Sequence, residues 1–411
     1  MNLNIKNAGF FKLAAIAFIV FVATSCNKDL PDATPIVYPP VNNSATTIGA
    51  EISSNPNYSI FKAAATRVGA LSGLNDSSKI FTVFLPDDNA FIASGIPSAA
   101  AIGALPIASV GGIVNYAIIP GEQYTSANVP SGFPNAQLPV SITIAKLPGT
   151  PINLNLSTFP SVRANGFWDN NIPVITPDLK MKNGVIHIVA GIVAPPSQLL
   201  KDMLYNNPDL TYFKAAVARA DSGSTGLSRF DSLLNYAVTN MTVLAPNDDA
   251  FRTLIYGLVY GQVLALTGNA GIADAQATAA VAAGPAFLST NNVTTELLRG
   301  VLAYHLLATP NPSTGDFEPN IRVFSVNFPQ ASPTSPFFIT TLVNTSVAVH
   351  PGIKVDATFT GPFVTDLKFT GLGTFPPGGA PYSGTPATAT SLDNHAVNGV
   401  YYVIDHVLLP Q

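Results

Sequence analysis

The sequence predicts an α+β protein built from two tandem copies of one domain, preceded by an export segment and a tether. Three observations predict it. A helical piece, a strand-and-turn piece and a closing hairpin piece each occur twice, in the same order. Within those pieces the apolar spacing alternates between the helical period and short continuous runs typical of buried strands. A stretch rich in Pro, Asn and Thr sets the first copy apart from an apolar N-terminus.

Residues 1–26 read as an export signal. Lys6 and Lys12 give a positive start, and Leu13 to Ala23 form an apolar run, shorter than the roughly 20 residues that span a bilayer. Ala23, Thr24 and Ser25 supply small residues before a cleavage point. Cys26 is the only cysteine, so no intrachain disulfide is possible. Val22-Ala23-Thr24-Ser25-Cys26 resembles a bacterial lipobox, with Ala23 where that motif usually has Leu. The resemblance implies lipidation of Cys26 and a membrane as partner through that anchor. The alternative is an ordinary cleaved signal with a chance cysteine. Asn27, Lys28 and Asp29 resemble the surface-export tags of Bacteroidota lipoproteins. Residues 27–46, with Pro31, Pro35, Pro39 and Pro40, read as an extended tether. The expected location is therefore the outer membrane or cell surface.

Composition agrees with an exported protein. Hydrophobic residues make up 47% of the chain and charged residues only 10%, against about 25% charged in an average soluble protein. Net charge is −4 and no two Lys or Arg residues are adjacent. Nucleic-acid binding needs clustered cations, so that class is excluded.

The first copy spans 47–196 and the second 197–411. Asn55-Pro56-Asn57-Tyr58-Ser59-Ile60-Phe61-Lys62-Ala63-Ala64 recurs as Asn207-Pro208-Asp209-Leu210-Thr211-Tyr212-Phe213-Lys214-Ala215-Ala216. Ile60, Phe61, Ala64, Ala65 and Val68 share one helical face, as do Leu210, Phe213 and Val217. Phe81 to Phe91 recurs as Met241 to Phe251: a buried strand ended by Pro86 or Pro246, then a helix start. Asp87 or Asp88, and Asn247 or Asp248, stand where an N-cap is wanted. Asn183-Gly184 and Asn398-Gly399 have the residue types of a type I′ hairpin turn with both residues at positive φ.

These blocks resemble the fasciclin (FAS1, beta-Ig-H3) domain: strand, Pro, polar helix start and Ala-Phe, then Asn-Gly-Val and an apolar strand leading to Asp405-His406-Val407-Leu408-Leu409-Pro410. Leu297-Leu298-Arg299 leading to Tyr304-His305 is similar to the family's intervening Tyr-His segment. The resemblance implies a β-sandwich or wedge with packed helices, and work in adhesion or surface contacts. Tyr304 and His305 are carried over as binding candidates. The first copy has Tyr116-Ala117 instead, so no such role passes to it. The second copy is longer: Pro86 to Tyr116 becomes Pro246 to Tyr304, and Tyr116 to Gly184 becomes Tyr304 to Gly399. The extra length is assigned to Gly268–Gly284 and to the region around Phe359–Thr388, as recognition loops or as filler.

The chemistry-bearing residues are sparse. Asp87-Asp88 and Asp248-Asp249 suit capping better than metal binding, and calcium-loop, zinc-helix and nucleophile-elbow motifs are missing. The five histidines are scattered: His187 alternates along a strand, His350 and His395 sit in loop-like sequence, and His406 closes the fold. No metal or cofactor is implied, and no enzymatic activity is expected. Trp168, the only tryptophan, lies in a polar Phe-Trp-Asp-Asn setting that suits a sugar ring or a protein hot spot. A core-packed tryptophan is the alternative. Phe328-Pro329 and Pro336-Phe337-Phe338 pose the same choice. The functional expectation is a surface adhesion or binding protein whose partner is protein or polysaccharide. An accessory lipoprotein of a glycan-capture or import system is the second expectation.

Overall fold

Two pairs of fully buried strands organise the chain. The computed structural model describes residues 45–146, 149–290, 293–311, 313–345, 350–374 and 379–410. The expected signal of residues 1–26, with Cys26, and all but the last two residues of the tether lie outside the described residues.

The first set of elements is α1 (Ile48–Ser54), α2 (Ser59–Arg67), α3 (Ala70–Leu74), β1 (Phe81–Pro86), α4 (Asp88–Ala93), α5 (Ala99–Ala104), α6 (Ile107–Tyr116), β2 (Ile118–Pro120), β3 (Leu138–Lys146), β4 (Asn153–Thr158), β5 (Pro160–Arg163), β6 (Gly166–Asp169), β7 (Ile172–Met181) and β8 (Gly184–Val189). The second set is α7 (Leu200–Asn206), α8 (Thr211–Ala220), α9 (Phe230–Leu234), β9 (Met241–Pro246), α10 (Asp248–Thr267), α11 (Ala270–Ala282), α12 (Thr295–Tyr304), β10 (Thr309–Pro310), β11 (Phe317–Glu318), β12 (Phe337–Ile339), β13 (Ile353–Thr360), β14 (Phe363–Thr370), β15 (Ala387–Ala396) and β16 (Gly399–Ile404). The main sheets run β2-β1-β8-β7-β6-β5 and β12-β13-β14-β15-β16-β9. The fold is mixed α+β, in two tandem domains.

β1, β8, β9 and β16 are buried at every residue. Strands covered on both faces read as continuous apolar runs and suit parallel pairing. β1 runs parallel to β8 from Phe81↔Gly184 to Pro86↔Val189, and β9 to β16 from Met241↔Gly399 to Pro246↔Ile404. The prolines end these strands. Asp87 and Asn247 then cap the next helix, each accepting from a backbone N–H at 2.8 Å (Ala90 and Ala250). The following carboxylate holds a second helix. Asp88 accepts from Ser59 Oγ at 2.7 Å and Ile60 N at 2.8 Å, and Asp248 from Thr211 Oγ1 at 2.6 Å and Tyr212 N at 2.9 Å. α2 and α8 have no cap of their own, so these aspartates satisfy their first donors from across the fold.

The Asn-Gly pairs are not type I′ turns. Neither asparagine has positive φ; both are fully buried. Asn183 Oδ1 accepts from Ile48 N at 2.8 Å, and its Nδ2 donates to Leu74 O at 2.8 Å and Asp76 O at 3.1 Å. Asn398 repeats this with Leu200 N at 2.8 Å, Leu234 O at 2.9 Å and Tyr236 O at 3.1 Å. Each amide ties the first helix of its domain to the sheet. The glycine beside it makes room for the parallel neighbour. A Cβ on Gly184 (φ 141°) would stand 1.8 Å from Phe81 O, and one on Gly399 2.4 Å from Met241 O.

The insertions are structured. α10 has 20 residues where α4 has 6. Gly268, at φ 63°, ends α10 in the left-handed conformation and leads into α11, which fills most of the predicted Gly268–Gly284 segment. The Phe359–Thr388 region is not merely loop. It contains β14, whose hairpin with β13 has 8 residues a side against 4 in β5 and β6. Most of the remaining extra length lies between Thr370 and Ala387, where the first domain has only Asn170 and Asn171.

Candidate functional site

The two domains share a core. Phe159 and Trp168 of the first belong to the buried cluster built from Tyr304, Phe324, Phe328, Phe369 and Tyr402 of the second. Around that contact runs a buried amide network. Asn135 Nδ2 donates to Arg322 O at 3.0 Å and to Asn327 Oδ1 at 2.7 Å. Asn327 Nδ2 donates to Ser161 Oγ at 2.7 Å, and Asn165 Nδ2 to Val326 O at 3.0 Å. Asn171 Nδ2 reaches Asp393 Oδ2 at 3.4 Å.

Arg322 lies at the centre. Its side chain is buried, and its guanidinium carbon stands 4.2 Å from the centre of the Phe159 ring. It donates to Asn240 Oδ1 at 2.7 Å, Ala396 O at 3.2 Å and Val397 O at 3.0 Å. Its Nη1 also lies 2.9 Å from His395 Nε2. Burial, and then the Arg322 charge, hold His395 well below the usual histidine range, so its neutral Nε2 accepts. His395 stands in β15, not in a loop. Burial lowers Arg322 itself to about 10, still charged at neutral pH. No carboxylate among the described residues forms an ion pair with it.

Beside the network a cleft of about 540 Å³ opens between the domains. Phe133 and Arg163 come from the first domain, and Phe328, Phe337 and Phe359 from the second. Phe133 lies 6.4 Å from Phe328 and 6.1 Å from Phe337, centre to centre. Arg163 sits 4.9 Å over Phe133. Its Nη1 donates to Pro130 O at 3.0 Å and Val162 O at 2.9 Å; its Nη2 donates to Gly132 O at 3.1 Å and to Asn135 Oδ1. Burial lowers Arg163 to about 10. Neither Asp nor Glu lines the cleft, and Arg163 has no ion-pair partner among the described residues. The volume lies within the roughly 300–1,000 Å³ of ligand pockets, and interdomain clefts are common sites.

The residues singled out by sequence lie elsewhere. Trp168 is fully buried in β6, its Nε1 donating to Asn165 Oδ1 at 3.3 Å, so the core alternative describes it. Tyr304 is fully buried; its hydroxyl donates to Gly352 O at 2.7 Å and accepts from Leu372 N at 3.0 Å. His305 Nδ1 lies 2.7 Å from Val301 O, and its Nε2 accepts from Leu408 N at 3.0 Å. Burial lowers His305 to about 4, against the opposing pull of the Val301 carbonyl. None of the three presents a polar group to a ligand. In the first domain Tyr116 donates to Ser157 O at 2.9 Å. Ala117 O accepts from Phe84 N at 3.0 Å as His305 O does from Leu244 N at 2.9 Å, so the backbone role survives loss of the imidazole. Among the described residues no group of three His, Cys, Asp or Glu side chains could hold a metal. Phe328 and Phe337 were visible as candidate aromatics; Phe133, Asn135 and Arg163 were not, because nothing local marks them.

Residues 56–195 match the family model described as Fasciclin domain. That segment is a fasciclin domain, and the second domain repeats its order β1-β8-β7-β6-β5 as β9-β16-β15-β14-β13, together with the caps and the buried asparagine. A solved FAS1 domain pair from the insect cell adhesion molecule Fasciclin I is similar at 14% identity and a TM-score of 0.30, covering 85% of this chain and 95% of that one. No curated protein matches the chain.

Proposed function

We propose that this is a non-enzymatic binding protein of the cell surface, held to the outer membrane by lipid on Cys26, that engages a protein or polysaccharide through its fasciclin-type pair. The observation that carries this reading is the aromatic cleft at a shared-core junction between the domains. Fasciclin domains serve adhesion and binding, and the aspartates that could have done acid–base work at the strand ends hold helix starts instead. The lipobox-like segment supports the anchor, and the low charge of 10% suits an exported surface.

The test uses residues 27–411, which contain both cores complete, fluorescently labelled. Saturable binding to the producing organism's own cells or to one of a panel of envelope and plant polysaccharides, competed by unlabelled protein, is the expected result. Absence of saturable binding to every surface and polymer would overturn the reading and favour an accessory role beside a transporter. Labelling of the whole chain by a radiolabelled fatty acid, lost on Cys26→Ser, checks the anchor.

A further inference from the structure

The cleft has an unusual balance of chemistry. Four phenylalanines line it, and its only charged side chain is Arg163. Most polar atoms of the lining amides are already engaged, Gln330 Nε2 being the exception. Asn165 donates to Val326 O, Asn327 donates to Ser161 Oγ and accepts from Phe324 N, and Gln330 Oε1 accepts from Phe359 N at 3.1 Å. A ligand rich in hydroxyls would lose water there and find few partners. An apolar ring or branched chain would fill the space between the phenylalanines. The four Nη hydrogens of Arg163 go to the neutral oxygens of Pro130, Val162, Gly132 and Asn135, which leaves Nε–H without a partner among the described residues. The guanidinium stays charged at neutral pH with no carboxylate beside it, so an anion would supply the countercharge mainly through Coulomb attraction in the desolvated cleft.

From this geometry we infer that the interdomain cleft binds a carboxylate carried on an aromatic or branched aliphatic body, with the carboxylate toward Arg163 and the body among Phe133, Phe328, Phe337 and Phe359. This rests on the protein being a binding module and narrows what it reads. A free aromatic acid and the C-terminus of a peptide ending in Phe or Leu offer the same chemistry. A uronic-acid sugar shares the charge but not the apolar body.

The experiment is titration calorimetry of residues 27–411 with N-acetylphenylalanine, its amide, the tripeptide acetyl-Ala-Ala-Phe with a free C-terminus, and glucuronate. The expected result is saturable binding of the acid, at least tenfold tighter than the amide, with glucuronate weaker than either. Tighter binding of the tripeptide identifies a peptide source; equal binding identifies a free acid. Arg163→Gln should abolish the preference for acid over amide. Phe359→Ala, on a peripheral hairpin, should weaken both tenfold while the melting temperature shows that the fold persists. Equal affinity for acid and amide, tighter binding of glucuronate, no saturable binding of either phenylalanine compound, or wild-type affinity in folded Phe359→Ala would each overturn the inference. The two readings fail separately: adhesion without saturable binding of N-acetylphenylalanine sinks this one alone, whereas acid binding without any adhesion sinks the adhesion reading alone.

Discussion

Asn135 of the first domain donates to Oδ1 of Asn327 in the second across 2.7 Å, with both side chains buried. Asn327 in turn holds Ser161 of the first domain and the backbone of Phe324 in its own. Replacing Asn327 by Ala leaves Asn135, Ser161 and Phe324 N short of a partner. Each buried polar group so stranded costs about 1–3 kcal/mol. Asn327→Ala is expected to lower the melting temperature and to split a single calorimetric transition into two as the domains lose their coupling. A single unshifted transition would contradict the role given to this pair.

Gly184 and Gly399 occupy equivalent positions with unequal room. Alanine at Gly184 would drive its Cβ to 1.8 Å from a backbone oxygen at φ 141°. At Gly399 the nearest atoms are Met241 O and the flexible end of Leu200, both at 2.4 Å. Both substitutions should destabilise, Gly184→Ala by more than about 4 kcal/mol, the range that marks severe core disruption. Urea unfolding of the two variants ranks them; the reverse order would refute this account.

Asp169 is buried, and its Oδ2 has no partner among the described residues. Burial raises it from 3.8 to about 7, despite a hydrogen bond from Thr158. Its folded form therefore holds a proton that the unfolded chain has released between about pH 4 and 7. Stability from this group is full below pH 4 and is lost as pH rises through 7. Asp169→Asn keeps the acceptor for Thr158 and removes the titration. It should raise stability at pH 8 by up to about 4 kcal/mol, at 1.4 per pKa unit, and change little at pH 4. Denaturation at the two pH values checks this; equal gains at both would exclude it.

His305 works in the opposite sense. Its folded value of about 4 lies below the ordinary 6.5, so its contribution is full above pH 6.5 and is lost as pH falls toward 4. His305→Gln should flatten that acid limb, and Leu408 N should lose protection in hydrogen exchange. An unchanged acid limb would show that the imidazole is not the titrating group.

Legibility followed sequence distance. The buried strands, their terminal prolines and the caps at Asp87 and Asn247 were readable because cause and effect lie within a few residues. The Asn-Gly pairs were misread because Asn183 finds Ile48 N 135 positions away, and a local reading offers only a turn. The sequence leaves Trp168 open between a ligand-facing ring and a core one, because its local neighbours are polar and most of the cluster that covers it comes from the second domain. His395 looked like a loop residue because β15 meets β16 with two register shifts, which break the alternation that marks a strand. The cleft was illegible for the same reason as Trp168: Arg163 and Phe133 come from one domain and Phe328, Phe337 and Phe359 from the other. No window along the chain holds them together.

Trp168 is the only tryptophan in the chain, and it sits where the two domains bury one another. The protein thus carries an optical gauge of its own junction. Indole emission shifts to the red when water reaches the ring, so separating the domains would register in the fluorescence spectrum without any dye, even while each half kept its secondary structure.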